Sequence, residues 1–184
     1  MTKLYVDIET TGLSIHNDKI TIVGLLCGGI FEQFVENINL KACRVDEFIR
    51  MHEPTEVVGY NSNSFDIAFM EQFGVETLCN LKQIDLMHQC HSLDIKGGLK
   101  KTEQILGIER KYEPLNFFQQ KALWKKWLHN NDHHALDRLL KYNEEDVRNL
   151  PLVEEKLRKK QDKQKKKHDL FKKVYLKKLG INKV

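Results

Sequence analysis

Residues 3–10, KLYVDIET, alternate Leu4, Val6 and Ile8 with Tyr5, Asp7 and Glu9. At a period of two, the first set faces one side of a strand and the second set the other. Two carboxylates therefore leave the same face of a segment apolar enough for a core strand. Buried acids are costly unless they are paired, hydrogen-bonded or metal-bound. Any fold built on this strand must bring Asp7 and Glu9 such partners.

The 184 residues suffice for one domain with a substantial core. With 41% hydrophobic and 30% charged residues, the composition is that of an ordinary globular chain. The longest apolar run, residues 20–31, is too short to span a bilayer and is broken by Gly28 and Gly29, so no membrane association is expected. No basic segment followed by an apolar one opens the chain, so no secretory signal is expected. Cys27, Cys43, Cys79 and Cys90 are scattered without a CxxC pair. That pattern suits a reduced, cytoplasmic protein.

The net charge of +4 hides a division. Residues 156–184 hold 13 Lys and Arg against 2 acids, whereas 1–155 hold 17 against 24. A basic tail on an acidic body points to a polyanionic partner, and a solvated charged helix is the plainer reading. The boundary falls where the lysine run begins, giving a domain of 1–157 and a basic helical tail of 158–184.

Strands are expected at the start, over KITIVGLL and over IFEQFVE, the last two joined as a hairpin through the glycines. Further strands are expected at 56–61 and 81–87, and helices at 45–52, 66–74, 98–107 and 119–128. Gly74 and Gly107 read as helix ends. Asn143 before Glu144, Glu145 and Asp146 reads as a capped helix start, because early acids suit the positive end of the helix dipole. Pro151 is expected to kink or restart that helix. In the tail, Leu170 and Val174, and Phe171, Tyr175 and Leu179, recur four apart and stop at Gly180. Strands first, then strands and helices in alternation, imply a layered α/β or mixed α+β fold.

Three segments are suggestive together: VDIET with Asp7 and Glu9, GYNSNSFD ending in Asp66, and YNEED with Tyr142 and Asp146 four apart. Their order and spacing resemble the DEDD superfamily of 3′→5′ exonucleases, whose fold is ribonuclease-H-like. The Asp-x-Glu motif is Asp7 and Glu9. The second motif, in the form found in proofreading domains of family B DNA polymerases, is Asn61, Phe65 and Asp66. The third, Tyr-x3-Asp, is Tyr142 and Asp146. The His subclass would carry His at position 141; Lys141 stands there, so the chain resembles the Tyr subclass, DEDDy. The compact YprB-type group is the nearest likeness, and GGLKKTEQILGIER (97–110) resembles one of its segments. The likeness covers roughly residues 3–155 and leaves out the tail.

The resemblance implies an α/β fold, a ribonuclease-H-like mixed β-sheet flanked by helices, with the basic C-terminal helical tail added. It implies a 3′→5′ exonuclease acting on single-stranded DNA or RNA with a free 3′ end. Asp7, Glu9, Asp66 and Asp146 would hold metal. Tyr142 would orient the attacking water, since a phenol of pKa about 10 is a poor base at neutral pH. Thr10 and Thr11 would help hold the terminal nucleotide, with Asn61 and Phe65 in support; Phe65 reads equally well as core. Physics agrees: two carboxylates about 4 Å apart repel by roughly 4 kcal/mol at an effective dielectric near 20. Oxygen-only ligands suit two Mg²⁺ or Mn²⁺ ions, which can clamp an in-line phosphodiester displacement.

A non-catalytic nucleic-acid-binding domain and a structure-specific endonuclease on the same fold are the rival readings. His88, Cys90 and His91 lack the second ligand pair of a zinc site. Trp124 and Trp127 read as a packing face, with base stacking the alternative. No Walker-type loop is present. The tail's lysines would follow a phosphate backbone, or its apolar stripe would dock on the body or on a protein partner.

Overall fold

The computed structural model describes residues 2–178. β1 (Lys3–Thr10), β2 (Ile20–Cys27) and β3 (Ile30–Val35) form an antiparallel meander. β4 (Glu56–Gly59) and β5 (Lys82–Asp85) add on in parallel, giving the order β3-β2-β1-β4-β5. The β2–β3 hairpin closes through Gly28 and Gly29, with φ of +59° and +87°. Positive φ at both central residues is what a tight hairpin turn requires, and glycine adopts it without strain.

Helices cover both faces of the sheet. α1 (Ala42–His52) and α2 (Asp66–Phe73) pack on one face. There Leu4, Val6 and Ile8 meet Val45, Phe48 and Ile49 of α1 and Ile67, Phe69 and Met70 of α2. α3 (Leu86–Ser92), α4 (Leu99–Leu106), α5 (Phe117–Asn130) and α6 (His133–Lys178) belong to the other side. Leu150, Val153 and Leu157 of α6 pack there with Val58, Leu86 and Leu99. Trp124 of α5 is buried with Ile22, Leu136, Leu139 and Tyr142, a packing role. The fold is the α/β layered architecture, with β2 buried along its whole length.

α6 differs from expectation twice. Its start is not at Asn143: the cap is Asp132, whose Oδ1 accepts the Ala135 N–H at 3.0 Å. Asn143 and its acids lie more than two turns inside the helix, and Asn143 bonds to the sheet. Nor does Pro151 restart it, since the helix runs unbroken from His133 to Lys178. Proline costs the helix a hydrogen bond, but Leu150, Val153 and Leu157 are buried around it, and that packing holds the segment helical. Among the described side chains the last buried one is Leu157, and Leu170, Phe171 and Tyr175 are exposed. Leu179 and Gly180, expected to complete the stripe and stop the helix, lie outside the described residues.

Candidate metal centre

α6 reaches the acidic face of β1 because β2 gives way beneath it. Asp7 pairs in register with Gly24. A Cβ at Gly24 would lie 2.3 Å from Asn143 Oδ1 and 2.8 Å from a Val147 methyl. The missing side chain is thus the space into which α6 settles. Asn143 Nδ2 then donates to the Asp7 carbonyl at 3.0 Å and to Asp7 Oδ2 at 2.9 Å. Gln33 Nε2 of β3 holds Asn143 from behind, donating to its Oδ1 at 2.8 Å and to the Leu140 carbonyl at 2.9 Å. Three strands and one helix are pinned at this point.

One turn along α6 from Tyr142 comes Asp146. Asp7, Glu9 and Asp146 each offer an oxygen, and these oxygens lie within 4.8 Å of one another. The fourth expected acid, Asp66, opens α2, and its Oδ1 accepts the Ile8 N–H at 2.9 Å. It abuts the strand between the other two acids without joining the three-carboxylate group. The loop that delivers it is braced by Asp85, which accepts the Asn61 N–H at 2.9 Å and caps α3 through Met87 N at 2.9 Å. Asn61 itself sits at φ +59°, a left-handed conformation that asparagine tolerates better than most residues.

The carboxylates raise one another's pKa. Burial, then Asp146, Asp66 and Glu9, push Asp7 well above the usual carboxylate range. Burial and Asp146 push Glu9 up to about 8. Burial pushes Asp66 up to about 7 against the opposing Ile8 N–H, with Asp85 and Asp146 adding to the rise. Burial and Asp146 also hold the Tyr142 phenol above its ordinary value. Its hydroxyl donates to the Leu115 carbonyl at 3.3 Å.

The cleft over these groups has a volume of about 200 Å³, and Asp7, Glu9, Thr10, Phe65, Tyr142 and Asp146 line it. Two expected residues stand elsewhere. Thr11 Oγ1 donates to Asp18 Oδ1 and accepts from Lys19 N, both at 3.0 Å, so it closes the loop after β1. Asn61 Oδ1 accepts from Ser64 Oγ at 3.0 Å within its own turn. Phe65 lines the cleft and also packs on the core and on Phe69, 4.9 Å between ring centres.

Sequence reasoning missed the cations. Lys100 of α4 enters the cleft, its Nζ 2.5 Å from Asp146 Oδ2 and 4.6 Å from the centre of the Tyr142 ring. Burial opposes its charge, but Asp146, Tyr142 and Asp7 together hold it protonated above the usual lysine value. Arg110 reaches Asp146 Oδ1 at 2.7 Å from the loop after α4. Both lie in the segment GGLKKTEQILGIER, whose likeness was visible but whose chemistry was not. Gln120 and Phe117 of α5 and Leu13 complete the cleft. His88 and His91 are not buried and Cys90 is buried in the core, and they form no metal-holding group among the described residues.

The family model RNase_H_2, of the RNase_H superfamily, matches residues 4–158. No curated protein matches the chain. Among solved structures, the family B DNA polymerase of the hyperthermophilic archaeon Pyrobaculum calidifontis is similar, with a TM-score of 0.69 and 20% identity over 85% of this chain. The match takes in 24% of the polymerase, so this chain spans about a quarter of that protein. A nuclease in its apo form gives a TM-score of 0.63 and 18% identity, covering 88% of this chain and 74% of the nuclease. Brucella melitensis NrnC bound to pGG gives 0.58 and 16%, again over 88% of this chain and 74% of the other. At these identities the likeness is one of fold: a mixed sheet flanked by helices, as in ribonuclease H.

Proposed function

The chain belongs to the RNase_H_2 family of the RNase H superfamily, and from that we propose that it is a metal-dependent 3′→5′ exonuclease of the DEDDy type, acting on single-stranded DNA or RNA. The observation that carries the reading is the meeting of Asp7, Glu9 and Asp146, from β1 and α6, in one lined cleft. Their donor set is carboxylate oxygen alone, which fits hard divalent cations, Mg²⁺ or Mn²⁺, and not zinc. Two such ions would supply an activated water and charge stabilisation for the in-line displacement of a 3′ oxygen.

The chain's own groups do the rest. Asp7 is held for ligation by Asn143, which occupies one side of its carboxylate. Asp66 adds the fourth negative charge and is fixed by the Ile8 N–H. Tyr142, raised above an ordinary phenol, keeps its proton and orients the attacking water rather than deprotonating it. Lys100 lines the cleft beside Asp146 and brings a positive charge to the place where a phosphate must sit. Thr10 lines the same cleft, and the terminal nucleotide is assigned to that side.

NrnC, a neighbour in fold, was solved with pGG bound, which supports a nucleic-acid substrate. Free cysteines throughout, two of them exposed, fit a reducing cytoplasm. No helix among the described residues is long and apolar enough to cross a membrane. We assign residues 158–184 to a basic arm that follows the phosphate backbone; the alternative occupant is a protein partner. Linear and circular single-stranded DNA, each incubated with Mg²⁺, test the reaction class. Loss of the linear strand alone supports an exonuclease, and cutting of the circle makes the protein an endonuclease on the same fold.

A further inference from the structure

Asp146 is held by two cations that differ in kind, one on each oxygen. Lys100 approaches Oδ2 from the cleft, on a side chain 32% exposed. Arg110 approaches Oδ1 from the other side, with its side chain 9% exposed and absent from the cleft lining. Arg110 is also locked. Its Nη1 donates to both oxygens of Glu103, at 2.9 and 3.0 Å, and its Nη2 lies 3.2 Å from Glu145 Oε2. Glu103 is held in turn by Asn149 Nδ2 at 2.8 Å, one turn of α6 beyond Glu145. Glu145 accepts the backbone N–H groups of Lys111 and Tyr112, at 2.5 and 3.2 Å. All of Arg110's hydrogen bonds leave through Nη1, while Nε and Nη2 are buried without one, so a single guanidinium nitrogen spans Glu103 and Asp146 and the delocalised charge alone faces Glu145.

The geometry points to Arg110 as a positioning residue for the metal centre. It fixes Asp146 through Oδ1, so that Oδ2 is the oxygen turned to the cleft and offered to a cation in exchange for Lys100. Glu103 has the matching task of aiming Arg110. The inference rests on the metal-centre reading above and adds to it which oxygen of Asp146 ligates and what orients it. Groups behind a metal ligand ordinarily alter metal affinity by roughly 10–100-fold when removed.

Arg110→Lys separates positioning from charge balance, because an ammonium restores the charge but not the planar group that sets Nη1 between Glu103 and Asp146. Direct Mn²⁺ binding, followed by electron paramagnetic resonance of the free ion, is measured beside thermal melting of the metal-free protein. Positioning predicts Mn²⁺ affinity weakened by about tenfold in protein that still melts cooperatively, whatever stability the lost Arg110 contacts cost, and the same weakening in Glu103→Gln, which keeps shape but frees the guanidinium to turn. Wild-type Mn²⁺ affinity in a folded Arg110→Lys protein, or in Glu103→Gln should Arg110→Lys not fold, overturns it and leaves Arg110 a charge-balancing staple between α4 and α6. Absence of Mn²⁺ binding by the wild-type protein overturns both this inference and the metal-centre reading, a result distinct from the previous one.

Discussion

The two ends of α6 use charge in opposite ways. From His133 to Leu157 the helix lies on the sheet, and the ionic groups it turns inward are buried and partnered: Asp146 with Lys100 and Arg110, Glu145 with Arg110 and two backbone N–H groups. From Arg158 onward lysines dominate and the side chains described are exposed, apart from half-buried Gln161. In the first region each inward charge is fixed in direction, because an unpaired one would cost several kcal/mol. In the second, water meets that need. One helix thus carries a part whose charges are fixed by partners and a part whose charges are solvated. Substitutions in the two parts should fail differently.

The largest effect belongs to the buried part. Asp146→Asn keeps the shape and removes the ligand charge, and hydrolysis should fall by roughly 10³-fold or more, the scale of a missing metal contribution of several kcal/mol. A variant within tenfold of wild type, in single-turnover assays, would place the chemistry elsewhere. Tyr142→Phe removes only the hydroxyl that orients water; turnover should drop by about 10²-fold while Mn²⁺ affinity stays at the wild-type value. Equal reduction in both readouts would make Tyr142 a support of the site rather than a participant.

Asn143→Ala strips the clamp between α6, Asp7 and Gln33, and should cost about 2–3 kcal/mol in denaturant melts by leaving buried polar groups unpaired. A change under about 0.5 kcal/mol would mean that water takes over those hydrogen bonds. Stability should also depend on pH in an unusual direction. Glu9 and Asp66 are raised to about 8 and about 7, far above their unfolded values, so the native state binds more protons than the unfolded state between roughly pH 4.5 and 8. Without divalent cations the melting temperature should therefore fall as pH rises from about 4.5 to about 8, and Mg²⁺ should restore it. A flat profile would show that the acids ionise freely in the metal-free fold.

The smallest effect on chemistry belongs to the arm. Truncation after Leu157 should leave turnover on saturating short oligonucleotides unchanged. It should flatten the slope of log K against log salt by roughly 0.7–0.9 for each phosphate that the arm neutralises. A slope equal to that of the full chain would take the arm off nucleic acid and favour the protein partner.

Local signals carried much of this from the sequence. The period-two pattern of residues 3–10 placed Asp7 and Glu9 on one face. Gly28–Gly29 marked the hairpin, and Gly74 and Gly107, at φ +99° and +65°, ended α2 and α4 as expected. Misreadings arose where distant neighbours decide. Asn143 looked like a cap because its local neighbours are acids, and only the Asp7–Gly24 register shows that it is a clamp. Pro151 was expected to kink or restart the helix, and it does not restart it because the burial that holds the segment helical comes from other elements. Lys100 and Arg110 went unread for the same reason: they stand 46 and 36 residues from Asp146 in sequence. No spacing rule reaches that far.

The central claim is that the Asp7–Glu9–Asp146 cleft removes nucleotides from a 3′ end. A time course on 5′-labelled single-stranded DNA and RNA with Mg²⁺ or Mn²⁺, run beside Asp7→Ala, tests it most directly. The expected result is a ladder of shortening labelled products that is absent in the variant. Salt-sensitive binding without any cleavage would contradict the claim and leave a domain that holds nucleic acid without hydrolysing it.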